Sequence, residues 1–324
     1  MAQFDLPIEE LRTYLPEDSE PADFDAFWTR TLQETRSHNL NARFQRIDDP
    51  THRLVNVYDL TFAGFAGHPV RGWFLEPAGN TGRLPCLVQF VGYGGGRSLP
   101  LDHLAAPVAG FALLVMDTRG QGAGWSPGVT PDPAGSGPHA PGFMTAGIES
   151  PDDYYYRRVY ADAVRAVEAA AGHPHVDPDR VGVMGGSQGG GIAVAVAGLL
   201  GEAVKLALPD VPFLCDFRRA LRITDAQPYA EITRYLSCHR DRVDAVFRTL
   251  AYFDGVNFAP RITARCLFSV GLMDQTCPPS TVYGAYNRIR AEKEIRIYPY
   301  NQHEGGGVLH AAERLRFAIH HLSS

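Results

Sequence analysis

The chain has 324 residues, 45% hydrophobic and 20% charged, with a formal net charge of −6, which suits a globular protein with a full core and excludes a disordered or collagen-like chain. An acidic chain without basic tracts has no electrostatic footprint for nucleic acid, and no apolar run approaches the ~20 residues that span a bilayer. Only Lys205 and Lys293 among the 30 basic residues are lysine, and neither follows the glycine run of a Walker-type phosphate loop. The N-terminus has no basic n-region or apolar h-region, so no secretory signal is expected. Five scattered cysteines (Cys86, Cys215, Cys238, Cys266 and Cys277) lack zinc-ligand or redox spacing. The expectation is buried, reduced thiols in a cytoplasmic protein.

Residues 1–50 read as a peripheral helical arm, with Phe24, Phe27, Trp28 and Leu32 at helical spacing. Strand-like runs at 54–62 and 70–75, separated by a glycine-containing turn, predict an antiparallel pair. From residue 84 the rhythm changes to short continuous apolar runs at 86–91, 112–116, 181–184, 206–208, 266–270 and 295–298. Such runs mean strands buried on both faces, hence an α/β chain with a mostly parallel central sheet flanked by helices. Segments 154–171 and 192–200 carry helical periodicity. Between the strands near 208 and 266, about residues 212–262 exceed what a crossover needs, so this stretch reads as an inserted cap. The whole chain, 1–324, reads as one domain.

The run at 181–184 leads into Gly185-Gly186-Ser187-Gln188-Gly189 and then an alanine-rich segment. Gly-x-Ser-x-Gly between a strand and a helix places its serine on a sharp, strained turn. The alternative is a glycine-rich turn whose serine only caps the helix. A serine hydroxyl needs a base to take its proton and an acid to orient that base. In strand–turn–helix sites of this kind the partners follow in the order Ser, Asp or Glu, His. Asp274 ends the strand-like run at 266–270, and His303 lies in the glycine-rich loop after 295–298; these are the candidate acid and base. Asp210, which also ends a strand, is the runner-up acid. Glu304 should point away from His303 in an extended loop, and Asp117 reads as a turn residue. His310, His320 and His321 fall in the final helical segment as surface or packing residues.

Acyl transfer also needs donors for the oxyanion. The N–H of Gln188, after the serine, is one. The loop Val91-Gly92-Tyr93-Gly94-Gly95-Gly96 supplies the other through the N–H of Tyr93, whose ring can wall the acyl pocket. Fifteen of the 33 glycines fall in four clusters, at 92–96, 120–124, 185–191 and 305–307, which concentrates tight backbone turns around one site.

Arg119-Gly120-Gln121, Gly185-Gly186-Ser187-Gln188-Gly189 and His303-Glu304 together resemble the carbohydrate esterase family 7 enzymes of the α/β-hydrolase superfamily, the acetyl xylan esterases and cephalosporin-C deacetylases. The likeness covers nearly the whole chain, including the segments beginning at Phe4, Asp23, Val211, Tyr252 and Gly271. It implies an α/β-hydrolase fold and a Ser187–His303–Asp274 triad. It further implies an oxyanion hole from the Tyr93 and Gln188 N–H groups, with Arg119 and Gln121 as structural residues beside the site. It also implies deacetylation of small acetylated sugars, xylo-oligosaccharides and cephalosporin C without metal or cofactor, and a cytoplasmic hexamer. Other readings are an esterase for longer acyl chains, a peptidase-like hydrolase, and a non-catalytic binding protein on the same scaffold.

Overall fold

In the computed structural model, which describes residues 3–133 and 137–322, the apolar runs become the strands of one nine-stranded sheet. They are β1 (Arg43–Ile47), β2 (Val55–Ala63), β3 (Pro69–Pro77), β4 (Leu84–Phe90), β5 (Ala112–Met116), β6 (Val176–Gly186), β7 (Leu206–Asp210), β8 (Arg265–Gly271) and β9 (Lys293–Tyr298). Their spatial order is 1-2-3-5-4-6-7-8-9. The first three strands and β5 run antiparallel, with β2 and β3 in register from Val55 opposite Pro77 to Ala63 opposite Pro69. From β5 to β9 every pairing is parallel. All five residues of β5 are buried, as expected of a strand covered on both faces.

Helices cover both faces of the sheet. They are α1 (Ile8–Leu11), α2 (Phe24–Arg36), α3 (Ala105–Val108), α4 (Tyr155–Ala171), α5 (Gln188–Leu200), α6 (Phe217–Ile223), α7 (Ala230–Cys238), α8 (Val243–Ala251), α9 (Gly255–Phe258), α10 (Pro279–Arg288) and α11 (Gly307–Leu322). The predicted stripe of α2 is buried: Phe24, Phe27, Trp28 and Leu32 are each at most 6% exposed. Trp28 stacks on Tyr160 of α4 with 5.8 Å between ring centroids, and its indole N–H donates to the Tyr252 carbonyl at 2.9 Å. Burying side chains of this size contributes about 1.5–3 kcal/mol each. Between β7 and β8 the chain forms α6 to α9, in the stretch expected to be helical.

Two expectations need correction. The arm is not helical throughout 1–50, because residues Arg43–Ile47 form β1. It is the edge strand of the sheet, hydrogen-bonded to β2 alone and exposed or half-exposed at every position, a segment too short and too polar to stand out from a helix. The thiols are not all buried either: Cys238, at the end of α7, is exposed.

Asp254 caps α9 and accepts the N–H groups of Asp216, Phe217 and Val256 at 2.7, 3.0 and 3.1 Å. Burial, reinforced by the neighbouring Asp216 charge, raises its pKa to about 7. A carboxyl raised on folding contributes stability that is present at low pH and lost as pH rises through the folded value. Asp254 by itself therefore lowers stability progressively up to about pH 7, against the buried His103, His173 and His310, whose depressed pKa values act with the opposite sign. In Asp254→Asn, melting curves across that window should lose this contribution even if their overall level drops.

Candidate active site

The parallel strands end on a common edge, and the strand order reverses at β4, so loops after β4 and β6 emerge side by side there. Crevices of this kind are where open α/β sheets place ligands. Ser187 stands between β6 and α5 with φ 55° and ψ −121°, a strained backbone for a residue with a Cβ. Its N–H donates to the Asp210 carbonyl and its own carbonyl accepts from Phe213 N–H, each at 2.9 Å. The turn is possible because strand and helix nearly touch. A Cβ on Gly185 would lie 2.4 Å from the Gly189 carbonyl carbon, and one on Gly189 would lie 2.2 Å from the Phe90 carbonyl oxygen.

Asp274 and His303 come from the loops after β8 and β9, as the spacing predicted. Asp274 is fully buried. One carboxylate oxygen, Oδ1, accepts from the Thr276 and Cys277 N–H groups at 2.8 and 2.9 Å. The other, Oδ2, lies 2.8 Å from His303 Nδ1. Asp210 makes no such bond. Its Oδ1 accepts from the Ser269 hydroxyl, and the imidazole near it is that of His310, at 3.8 Å. Glu304 is turned away, accepting from the Asn301 side chain and the Gln302 N–H. Burial pushes the pKa of the Cys277 thiol, three residues after Asp274, well up, so that sulfur stays neutral.

Gln121 ties the two candidate oxyanion loops together. Its Oε1 accepts the Gly94 N–H at 2.7 Å, and its amide pairs reciprocally with that of Gln188, with bonds of 2.8 and 3.2 Å. Gln188 in turn donates to the Val91 carbonyl at 3.1 Å. The first N–H of α5 and the backbone at Tyr93 are thereby held in one register. Both glutamines are completely buried. Arg119 anchors the loop from below through two bonds to Asp162, at 2.6 and 2.7 Å. Truncation to Gln121→Ala would strand the buried Gly94 N–H and loosen the two candidate oxyanion loops. It is expected to lower kcat on acetate esters by about 10–100-fold, short of the ~10²–10³ for losing an oxyanion donor outright. KM should change little; steady-state kinetics on purified variant protein reads both.

Ser187 and His303 open onto a cavity of about 650 Å³, also bordered by Tyr93, Trp125, Pro228, Glu231 and Arg234. The Tyr93 phenol donates to Glu231 at 2.6 Å and accepts the Phe143 N–H at 2.9 Å, which fixes the ring as a wall. Burial raises the Glu231 pKa, against the Tyr93 hydrogen bond that lowers it. Trp125 donates to the Tyr93 carbonyl at 2.8 Å and also borders a second space of about 630 Å³ that reaches Ser187. Sequence reasoning missed Glu231, Trp125 and Asp162, as well as Tyr155 and Tyr156. Tyr155 is hydrogen-bonded to Gln121, and Tyr156 donates to Gln188. The run Tyr154-Tyr155-Tyr156 carried a usable signal, since buried phenols need polar partners. Nothing local marks Glu231, which acquires its role only when α7 folds over the edge. Asp117 is more than a turn residue: its carboxylate accepts the N–H groups of Arg97, Val129 and Thr130, each at 2.8 Å.

A strained serine turn, an aspartate–histidine pair across the same edge and a parallel sheet define the α/β-hydrolase class. The acetyl xylan esterase (AXE1) family model matches residues 1–321, and the chain belongs to that family of carboxylic-ester hydrolases. An acetyl xylan esterase structure from Paenibacillus sp. R4 is 41% identical and covers 98% of this chain and 100% of its own, with a TM-score of 0.91. Acetyl xylan esterase 1 from Thermoanaerobacterium sp. JW/SL YS485 is 36% identical over 97% of this chain and 99% of its own, with a TM-score of 0.87. Acetyl esterase Axe7A of Xylanibacter ruminicola is 30% identical over 291 residues, 89% of this chain; the chain spans 64% of that relative's length.

Proposed function

We propose that this chain is a serine acetyl esterase that deacetylates small acetylated carbohydrates and cephalosporin C through Ser187, His303 and Asp274. The observation that carries the reading is the 2.8 Å bond from His303 Nδ1 to the buried Asp274 carboxylate, beside a serine held at φ 55° on the same cavity. Asp274 keeps the Nδ1 proton, which leaves a lone pair on Nε2 for the Ser187 hydroxyl. Ser187 Oγ attacks the acetyl carbonyl while His303 takes its proton. The N–H groups of Tyr93 and Gln188 receive the oxyanion. The alcohol leaves with the proton from His303, and the same base then activates water to release acetate and regenerate the serine.

The rigid Tyr93 wall supports a small acyl site, and the cavity volume is that of a small-molecule pocket. The Arg234 side chain at its rim makes no ion pair among the described residues and is available to an anionic leaving group. Acetate release should be readily measured from acetylated xylose, acetylated xylo-oligosaccharides and cephalosporin C. With p-nitrophenyl esters, kcat/KM should drop about tenfold or more from acetate to butyrate and further to octanoate, within the few kcal/mol that pocket fit can supply. A flat or rising chain-length profile would instead indicate a longer-acyl esterase, and failure to label with a serine-directed organophosphonate would indicate a non-catalytic scaffold. A cytoplasmic hexamer is proposed on the family resemblance alone; light scattering of the purified chain tests the assembly.

A further inference from the structure

The edge opposite the catalytic loops holds a second cluster of side chains that the esterase reaction does not use. Glu76 lies near the end of β3, which runs antiparallel to β5, and His173 and His175 lie just before β6, so all three sit far from the carboxyl ends that carry Ser187 and His303. Glu76 is 1% exposed. Its Oε1 accepts from the Tyr58 hydroxyl at 3.1 Å and the Asn56 amide at 3.3 Å, and its Oε2 is 2.8 Å from His175 Nδ1. No lysine or arginine pairs with this buried carboxylate among the described residues; His175 is its one ion-pair partner. His173 is itself buried, packed against the Phe44 and Phe74 rings at centroid distances of 4.6 and 4.2 Å. Its Nδ1 lone pair faces His175, accepting that residue's N–H at a long 3.3 Å. One ligand atom from each of the three side chains lies within 4.8 Å of the others.

We propose that Glu76, His173 and His175 form a binding site for a divalent first-row transition ion of the zinc type, with a structural rather than catalytic role. A carboxylate removed from water needs a compensating charge, and a cation between the three side chains would supply it. Two imidazoles and one carboxylate are a donor set that suits Zn²⁺ and leaves a fourth position open. Ca²⁺ and Mg²⁺ want oxygen ligands throughout and are disfavoured here. The Tyr58 and Asn56 hydrogen bonds occupy Oε1 and orient the carboxylate so that Oε2 faces the imidazoles, the kind of outer support that metal ligands use. His175, whose side chain is 43% exposed, supplies both the access route and the movement. Its ring can swing inward to close the spacing to zinc–ligand lengths of about 2.0–2.1 Å, with the Nδ1 proton shifting to Nε2.

A second donor group, Asp274, Cys277 and His303, belongs to the candidate active site, and a metal there would occupy the proposed base and inhibit. The two locations are therefore separable by activity. Chelator-stripped full-length protein is titrated with ZnCl₂ by calorimetry, with melting temperature and p-nitrophenyl acetate hydrolysis followed in parallel. One equivalent is expected to bind and to raise the melting temperature by about 2–5 °C once free zinc exceeds Kd about a hundredfold, with the esterase rate unchanged. His173→Ala and His175→Ala should each weaken binding at least about tenfold, as loss of even supporting groups does at metal sites. The half-exposed His175 variant should retain full esterase activity, which controls for folding. Absence of binding, binding by both histidine variants as tight as the parent's, or binding seen only together with inhibition would each overturn the proposal.

Discussion

Ser187→Ala is expected to reduce kcat/KM on p-nitrophenyl acetate by about 10⁵-fold or more, as loss of a serine nucleophile from an intact triad does. The residual activity should be that of the oxyanion donors and binding alone. Alanine carries the same Cβ through the turn at φ 55°, and the Ser187 backbone bonds to Asp210 and Phe213 do not involve the hydroxyl. The variant should therefore fold, and its melting temperature should stay close to that of the parent. Labelling by an organophosphonate should vanish with the activity. If Ser187→Ala retained most of the parental rate, no rearrangement of the neighbouring residues would rescue the nucleophile assignment.

Asp274→Asn is the next largest expected loss, about 10⁴-fold in kcat. The Asn carbonyl oxygen can keep the Thr276 and Cys277 N–H bonds now made by Oδ1. The amide NH₂ then faces His303 Nδ1 where a carboxylate oxygen stood. A donor at that position forces the Nδ1 lone pair toward it and puts the ring proton on Nε2, the atom that must accept from Ser187. The base would be present, in place and in the wrong tautomer. Because that defect is chemical rather than structural, KM and melting temperature should move little. Asp210→Asn is the comparison: its carboxylate bonds to Ser269 and does not reach His303, so it should cost far less. A larger loss from Asp210→Asn than from Asp274→Asn would reassign the orienting acid.

The parallel part of the sheet was legible because strands buried on both faces must be apolar at every position, as in β5. The three candidate triad residues were legible for a related reason. Side chains at the ends of parallel strands share one edge, so a serine turn, an aspartate and a histidine after successive strands converge whatever the intervening sequence. β1 was missed because it is short and half exposed, with a burial pattern that has no strong period. Glu231 was missed because its function is a contact with Tyr93, 138 residues away. Gln121 was read as structural and the Gln188 N–H as an oxyanion donor, and the pairing of their side-chain amides was not foreseen. Its reciprocal geometry depends on how closely the loops after β4, β5 and β6 approach.

Residue chemistry and chain order were thus enough to single out a serine turn, an acid and a base on an α/β scaffold, because backbone periodicity and turn sterics are local. Which acid meets the histidine was decided by folding. Asp210 and Asp274 both end strands, and only the position of the β8 loop brings one carboxylate to 2.8 Å from His303. The same holds for the cavity and for the Glu76–His173–His175 cluster. Each brings together residues from separate parts of the chain, and burial, which local pattern does not specify, is what leaves the Glu76 carboxylate with His175 as its ion-pair partner.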